Sequence, residues 1–146
     1  MKPDIGSVLL ASIETLTTEI APHFDGDYRG GTVSSIAVLM SLLGNEYDRA
    51  ADMRFTTNKE IKEIFANAFT HLSDSDLALR LKNSSELEEI SLRITDLDRS
   101  SALLKNLLIE LHLYVEDLSE PWAEKINKDI WAFLGRDAQP ISLGDQ

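Results

Sequence analysis

Few side chains in this sequence are spaced for chemistry, and the nearest candidate is His112 with Glu116, four residues apart. On a helix that spacing sets both on one face. An imidazole and a carboxylate there could be two ligands of a metal held between helices. A metal needs further ligands, and no Glu-x-x-His or His-x-x-x-His element supplies them. The plain reading is a solvated charge pair near Lys105, and no metal is assigned. His23 falls in an expected loop and His71 at an expected helix end, neither with a partner motif. Asp25 and Asp27 resemble the opening of a calcium loop, but the later ligands and the required glycine are missing. With His23, Tyr28 and Arg29 they read instead as a helix-to-helix turn with capping aspartates. No Walker loop, dinucleotide fingerprint or nucleophile elbow occurs. Asp48, Arg49, Asp52 and Arg54 read as a solvated run of ion pairs. No catalytic residue and no cofactor is assigned.

Composition narrows the partners. The chain has 146 residues, 43% hydrophobic and 27% charged, which suits one domain with a real core. A formal net charge of -11 repels phosphate backbones and anionic lipid surfaces, so nucleic-acid and membrane binding are not expected. Without cysteine there is no disulfide, thiolate catalysis or thiolate metal site. The first residues do not read as a signal peptide, and no run has the length of a membrane span. A cytoplasmic setting is the expectation.

Helical periodicity dominates the elements that would position these residues. A first amphipathic helix starts near Pro3, with Asp4 beside it, and carries Ile5, Leu9, Ile13, Leu16 and Ile20 on one face. Pro22 marks its end. A turn over residues 23–31 follows, with Asp25-Gly26-Asp27 at its centre. The second helix runs from Tyr28 or Thr32 to about Met53, with Val33, Ile36, Leu39, Met40, Leu43 and Tyr47 on a wide apolar arc. Beside that arc Gly30, Ala37, Gly44 and Ala51 repeat every seven residues, a row that would let a second helix approach closely. Thr57 and Glu60 form a capping box that predicts a third helix burying Ile61, Ile64, Phe65, Ala68, Phe69 and Leu72. Residues 77–81 read as a short helical turn. Ser85 with Glu88 repeats the capping box.

From there the pattern predicts one long helix over about 86–118. Leu87, Ile90, Ile94, Leu97, Ser101, Leu104, Leu108, Leu111, Val115 and Leu118 alternate three- and four-residue steps, a heptad seam broken only by Ser101. A break near residues 96–101 is its main rival. In its second half Ile109 and Leu113 project from the opposite side, and a helix apolar on two sides is central or covered by a second chain. A final helix from Pro121 carries Trp122, Ile126, Ile130, Phe133 and Leu134, with Gly135 as a left-handed cap.

The punctuation of the first two helices resembles a known pattern. Leu9-Leu10, Thr15-Leu16, Ile20-Ala21-Pro22, Asp27-Tyr28-Arg29-Gly30, Glu46 and Ala50-Ala51 together are similar to an uncharacterised bacterial all-helical family. That family is encoded near acyl-CoA dehydrogenases and aminoglycoside-phosphotransferase-like proteins. The resemblance implies an accessory role near acyl or phosphoryl metabolism and carries over no site residue.

The expected fold is therefore all-α: an antiparallel bundle of four main helices plus a short one, organised around residues 86–118. One domain covers 1–135, followed by a mobile tail over 136–146. The expected function is a non-enzymatic interaction or accessory protein acting as a homodimer through Gly30, Ala37, Gly44, Ala51, Ile109 and Leu113. The alternative is a small-molecule or metal-binding bundle, which could be an enzyme, with an interior pocket lined by His112, Glu116, Tyr114, Tyr47, Trp122 and Trp131.

Overall fold

The computed structural model describes residues 4–138, apart from the side chains of Asp48 and Ser75. Among them no strand occurs, and the fold is all-α. Five α-helices follow in order: α1 (Ile5–Glu14), α2 (Tyr28–Ala68), α3 (Ser75–Glu86), α4 (Ile94–Glu116) and α5 (Pro121–Asp137). None is long and apolar enough to cross a membrane. The chain divides into two compact units, Met1–Ala50 and Ala51–Gln146, with α2 running through the boundary.

In the first unit Asp4 caps α1, its carboxylate accepting from the Ser7 amide at 3.1 Å. Regular helix stops at Glu14, earlier than Pro22 alone implied. A π-helical turn over Thr15–Ile20 and a 3₁₀ turn over Ala21–Phe24 carry the chain past the proline. The Thr17 and Thr18 hydroxyls donate to the Ile13 and Glu14 carbonyls, and such back-bonding competes with the regular ladder where it widens. Gly26, at φ 79°, makes the turn, the one described glycine in the left-handed region. Asp27 then accepts from the Arg29 amide at the start of α2. Gly30 is required here, because a Cβ would lie 2.9 Å from the Phe24 carbonyl oxygen.

The second and third helices expected from the periodicity are one element. The capping box at Thr57 and Glu60 does not open a helix; α2 passes through it for 41 residues. Between Asn45 and Ala68 there is neither glycine nor proline to stop it. Its second half is fixed by Arg54, which donates to Asp98 at 2.6 Å, and by the fully buried Asn58.

The core belongs to the second unit. Ile61, Ile64, Phe65 and Ala68 of α2 pack with Leu77 and Leu81 of α3, with α4, and with Ile126, Ile130 and Phe133 of α5. On α4 the predicted seam holds from Leu97 onward, with Leu104, Leu108, Leu111 and Val115 buried. Its beginning is corrected. Residues 87–93 are not helical, and α3 extends to Glu86 instead of stopping as a short turn. Ser85 accordingly caps nothing; its hydroxyl donates to the Lys82 carbonyl within α3. The predicted rival break fails too, since α4 runs unbroken through residues 96–101.

Polar contacts displace the helix at 87–93. Glu89 is drawn inward, where its Oε1 accepts from Lys62 at 2.8 Å, Ser100 at 3.1 Å and Asn58 at 3.2 Å. Lys62 also donates to the Leu87 carbonyl at 2.8 Å, a group that a continuous helix would have used internally. Leu87, Ile90 and Leu92 are left exposed, Ile90 at 96%. At the other end Gly135 is not a cap, because α5 continues to Asp137. Lys105 to Asp137 at 2.8 Å and Arg136 to Glu60 at 3.2 Å hold that last turn. Residues 139–146 of the expected tail, and Pro3, lie outside the described residues.

Candidate functional site

In the second unit the residues singled out in the sequence do not converge on one place. His112 is half-buried, its Nε2 3.1 Å from Asn127 Oδ1 and its ring edge-on to Trp131 with centroids 5.4 Å apart. Tyr114 packs at the edge of the core and meets Ser73 through its hydroxyl at 2.8 Å. Trp122 packs there too, stacked on His71 at 5.3 Å between centroids. Glu116 is exposed and forms no ion pair with His112 among the described residues. His71 thus has a partner that no sequence spacing indicated. Tyr47 lies in the first unit, half exposed.

Beside His112 a shallow groove of about 170 Å³ is lined by Leu108, Ile109, Ile130, Phe133 and Leu134. The Lys105–Asp137 ion pair belongs to the same lining. Its one titratable group not already in an ion pair is His112. No group of three or more His, Asp or Glu side chains able to hold a metal occurs among the described residues. The groove offers apolar contact, one imidazole and the Lys105–Asp137 ion pair.

A polar network centred on Glu89 joins Lys62, Ser100 and Asn58, and the sequence did not reveal it. Burial would raise the Glu89 pKa, but the hydrogen bonds from Lys62, Ser100 and Asn58 together bring it below its ordinary value. Asn58 donates its amide group to Glu89 and to the Leu97 carbonyl, while its Oδ1 has no partner among the described residues. The bonds to Glu89 and to the Leu87 carbonyl tie residues 87–93 to α2 and α4, and Asn58 joins α2 to α4 directly.

The first unit presents a different kind of surface. Among its described residues the buried ones are alanines, Ala37 and Ala50, and no large side chain is buried. Of the small residues expected at an interface, Gly30 sits against the Phe24 carbonyl and Gly44 faces Leu9, whose Cδ1 would lie 3.5 Å from a Cβ at that position. Those two admit the chain's own first helical segment. Ala51, in the second unit, is half-buried. About a quarter-turn away around α2, Ile36, Leu39, Leu43 and Tyr47 are exposed, Leu43 at 62%. In the second unit Ile109 and Leu113 are likewise exposed on α4.

No family model, curated protein or solved structure matches this chain.

Proposed function

We propose that this protein is a non-enzymatic interaction or accessory protein that works as a homodimer through a helical surface. One observation carries the reading: among its described residues the first unit buries two alanines and no large apolar side chain, while Ile36, Val38, Leu39, Leu43 and Tyr47 stay exposed. Helices owe most of their stability to burial of an apolar face. Contiguous exposed apolar surface marks interaction sites in soluble proteins. A cytoplasmic setting and an accessory role beside acyl or phosphoryl metabolism belong to the same proposal. They rest on the cysteine-free composition and on the punctuation of the first two helices.

The groove beside His112 is the alternative, as a small-molecule site. Its volume of about 170 Å³ falls below the roughly 300–1,000 Å³ of ordinary ligand pockets, and Tyr114 and Trp122 are engaged elsewhere. Both facts weigh against a ligand site at His112. Native mass spectrometry of the purified chain decides between the two readings. A dimer of bare subunits is expected. A monomer carrying extra mass that is lost on denaturation would replace the interaction reading with the ligand-binding one.

A further inference from the structure

The second unit has another concavity, larger than the groove beside His112. Its volume is about 630 Å³, within the roughly 300–1,000 Å³ of ordinary ligand pockets, and it lies between α2 and residues 87–92. Phe55, Leu87, Ile90 and Leu92 line it, and all four are exposed. Leu87 and Ile90 share the spacing of the α4 seam, yet the bonds at Lys62 and Glu89 keep them out of helix and in this lining. The pocket is thus walled by apolar side chains that the core does not use.

Lys62 and Glu89 line the same pocket and give it a polar end. Their side chains are only 13% and 9% exposed, and they pair at 2.8 Å. Oε1 takes all three hydrogen bonds to the Glu89 carboxylate, from Lys62, Ser100 and Asn58; Oε2 takes none among the described residues. Lys62 uses two of its three ammonium hydrogens, on Glu89 and on the Leu87 carbonyl. One acceptor and one donor are left over, on neighbouring groups whose charges cancel. A hydroxyl serves both, donating to Oε2 and accepting from Nζ. A carboxylate head would meet Glu89 as a like charge, and an ammonium head would meet Lys62 in the same way. Lys59 and Glu88 repeat the balance in the rest of the lining. We infer that this pocket binds an uncharged amphiphile, its apolar body among Phe55, Leu87, Ile90 and Leu92 and its hydroxyl on the Lys62–Glu89 pair.

The site stands apart from the homodimer reading, since every lining residue belongs to the second unit. The test is a titration of the full chain with hexan-1-ol, followed through backbone amide shifts by heteronuclear NMR. Hexylamine and hexanoate carry the same body under charged heads. Hexan-1-ol should shift the amides of Phe55, Lys59 and residues 87–92 saturably, and should bind about threefold or more tighter than either ion. Ile90→Ser, at a position 96% exposed, should melt as the wild type does and raise the hexan-1-ol dissociation constant by about threefold or more. Glu89→Gln leaves Lys62 without its counter-charge and should move the preference to hexanoate, a reversal that general destabilisation cannot produce. Shifts that do not saturate, or that are confined to Leu108, Ile109 and Leu134, would overturn the site, as would an Ile90→Ser variant that binds like the wild type. Hexylamine or hexanoate binding as tightly as hexan-1-ol would overturn the hydroxyl. A Glu89→Gln variant that keeps the wild-type order of the three heads would overturn the part given to the Lys62–Glu89 pair.

Discussion

At the scale of single residues, the account turns on groups whose surroundings contradict their type. Glu89 is a carboxylate held inward beside exposed Leu87 and Ile90, because three donors meet its Oε1. Glu89→Ala would take one acceptor from each of Lys62, Asn58 and Ser100, and should lower stability in chemical denaturation by about 2–3 kcal/mol. Its pH dependence has a defined sign. The folded pKa is lowered from 4.5, so the contribution is present above that value and is lost as pH falls through the lowered one. Asp4, Asp27 and Glu110 are lowered as well, each chiefly by a side-chain hydrogen bond, to Ser7, Arg29 and Arg80 respectively. Glu89→Gln against the wild type isolates this one group: the stability gap between them should shrink on acidification below the ordinary value. Two neighbouring glycines make a sharper pair. Gly30→Ala sets a methyl against the Phe24 carbonyl and should destabilise by about 1–3 kcal/mol. Gly31→Ala meets nothing within 4 Å and should gain about 0.5–1 kcal/mol from helix propensity. Thermal melts of the two variants should move in opposite directions.

At the scale of elements, periodicity was a sound guide to which faces are buried and a poor one to where helices stop. Ile61, Ile64, Phe65 and Ala68, the seam from Leu97 to Val115, and Ile126, Ile130 and Phe133 all lie in the core, as their spacing implied. Boundaries failed wherever long-range polar contacts decided them. A capping box at Thr57 and Glu60 is a local motif, and it is overruled when continuous helix satisfies the same amides. Leu87 and Ile90 fit the heptad, but Lys62 and Asn58, 25 and 31 residues from their partners Leu87 and Glu89, pull the chain out of helix. No local spacing encodes such ties. The candidate site was legible only in part for the same reason: Ile109, Leu113 and the α2 arc could be read from helical phase. The meetings of His112 with Asn127, Trp122 with His71 and Tyr114 with Ser73 depend on tertiary packing. A substitution pair tests the corrected seam. Leu111→Ala, at a fully buried position, should cost about 2–5 kcal/mol, whereas Ile90→Ala should stay within about 0.5 kcal/mol. Equal losses at the two positions would restore the continuous helix.

At the scale of the whole molecule, the two units differ in how they are held. The second has a core built from four helices. Among the described residues of the first, only alanines are buried along an ordered helical course, and under the proposed homodimer a second copy supplies the missing contacts. Stability of the first unit should therefore depend on protein concentration, while that of the second should not. Hydrogen exchange measured by mass spectrometry across a dilution series reads both units in one experiment. Amides of α2 over residues 32–47 should be protected at concentrations where the dimer forms and should lose that protection on dilution, with α4 unchanged. Protection of residues 32–47 that is the same at every dilution would contradict the account, because the first unit would then be stable by itself.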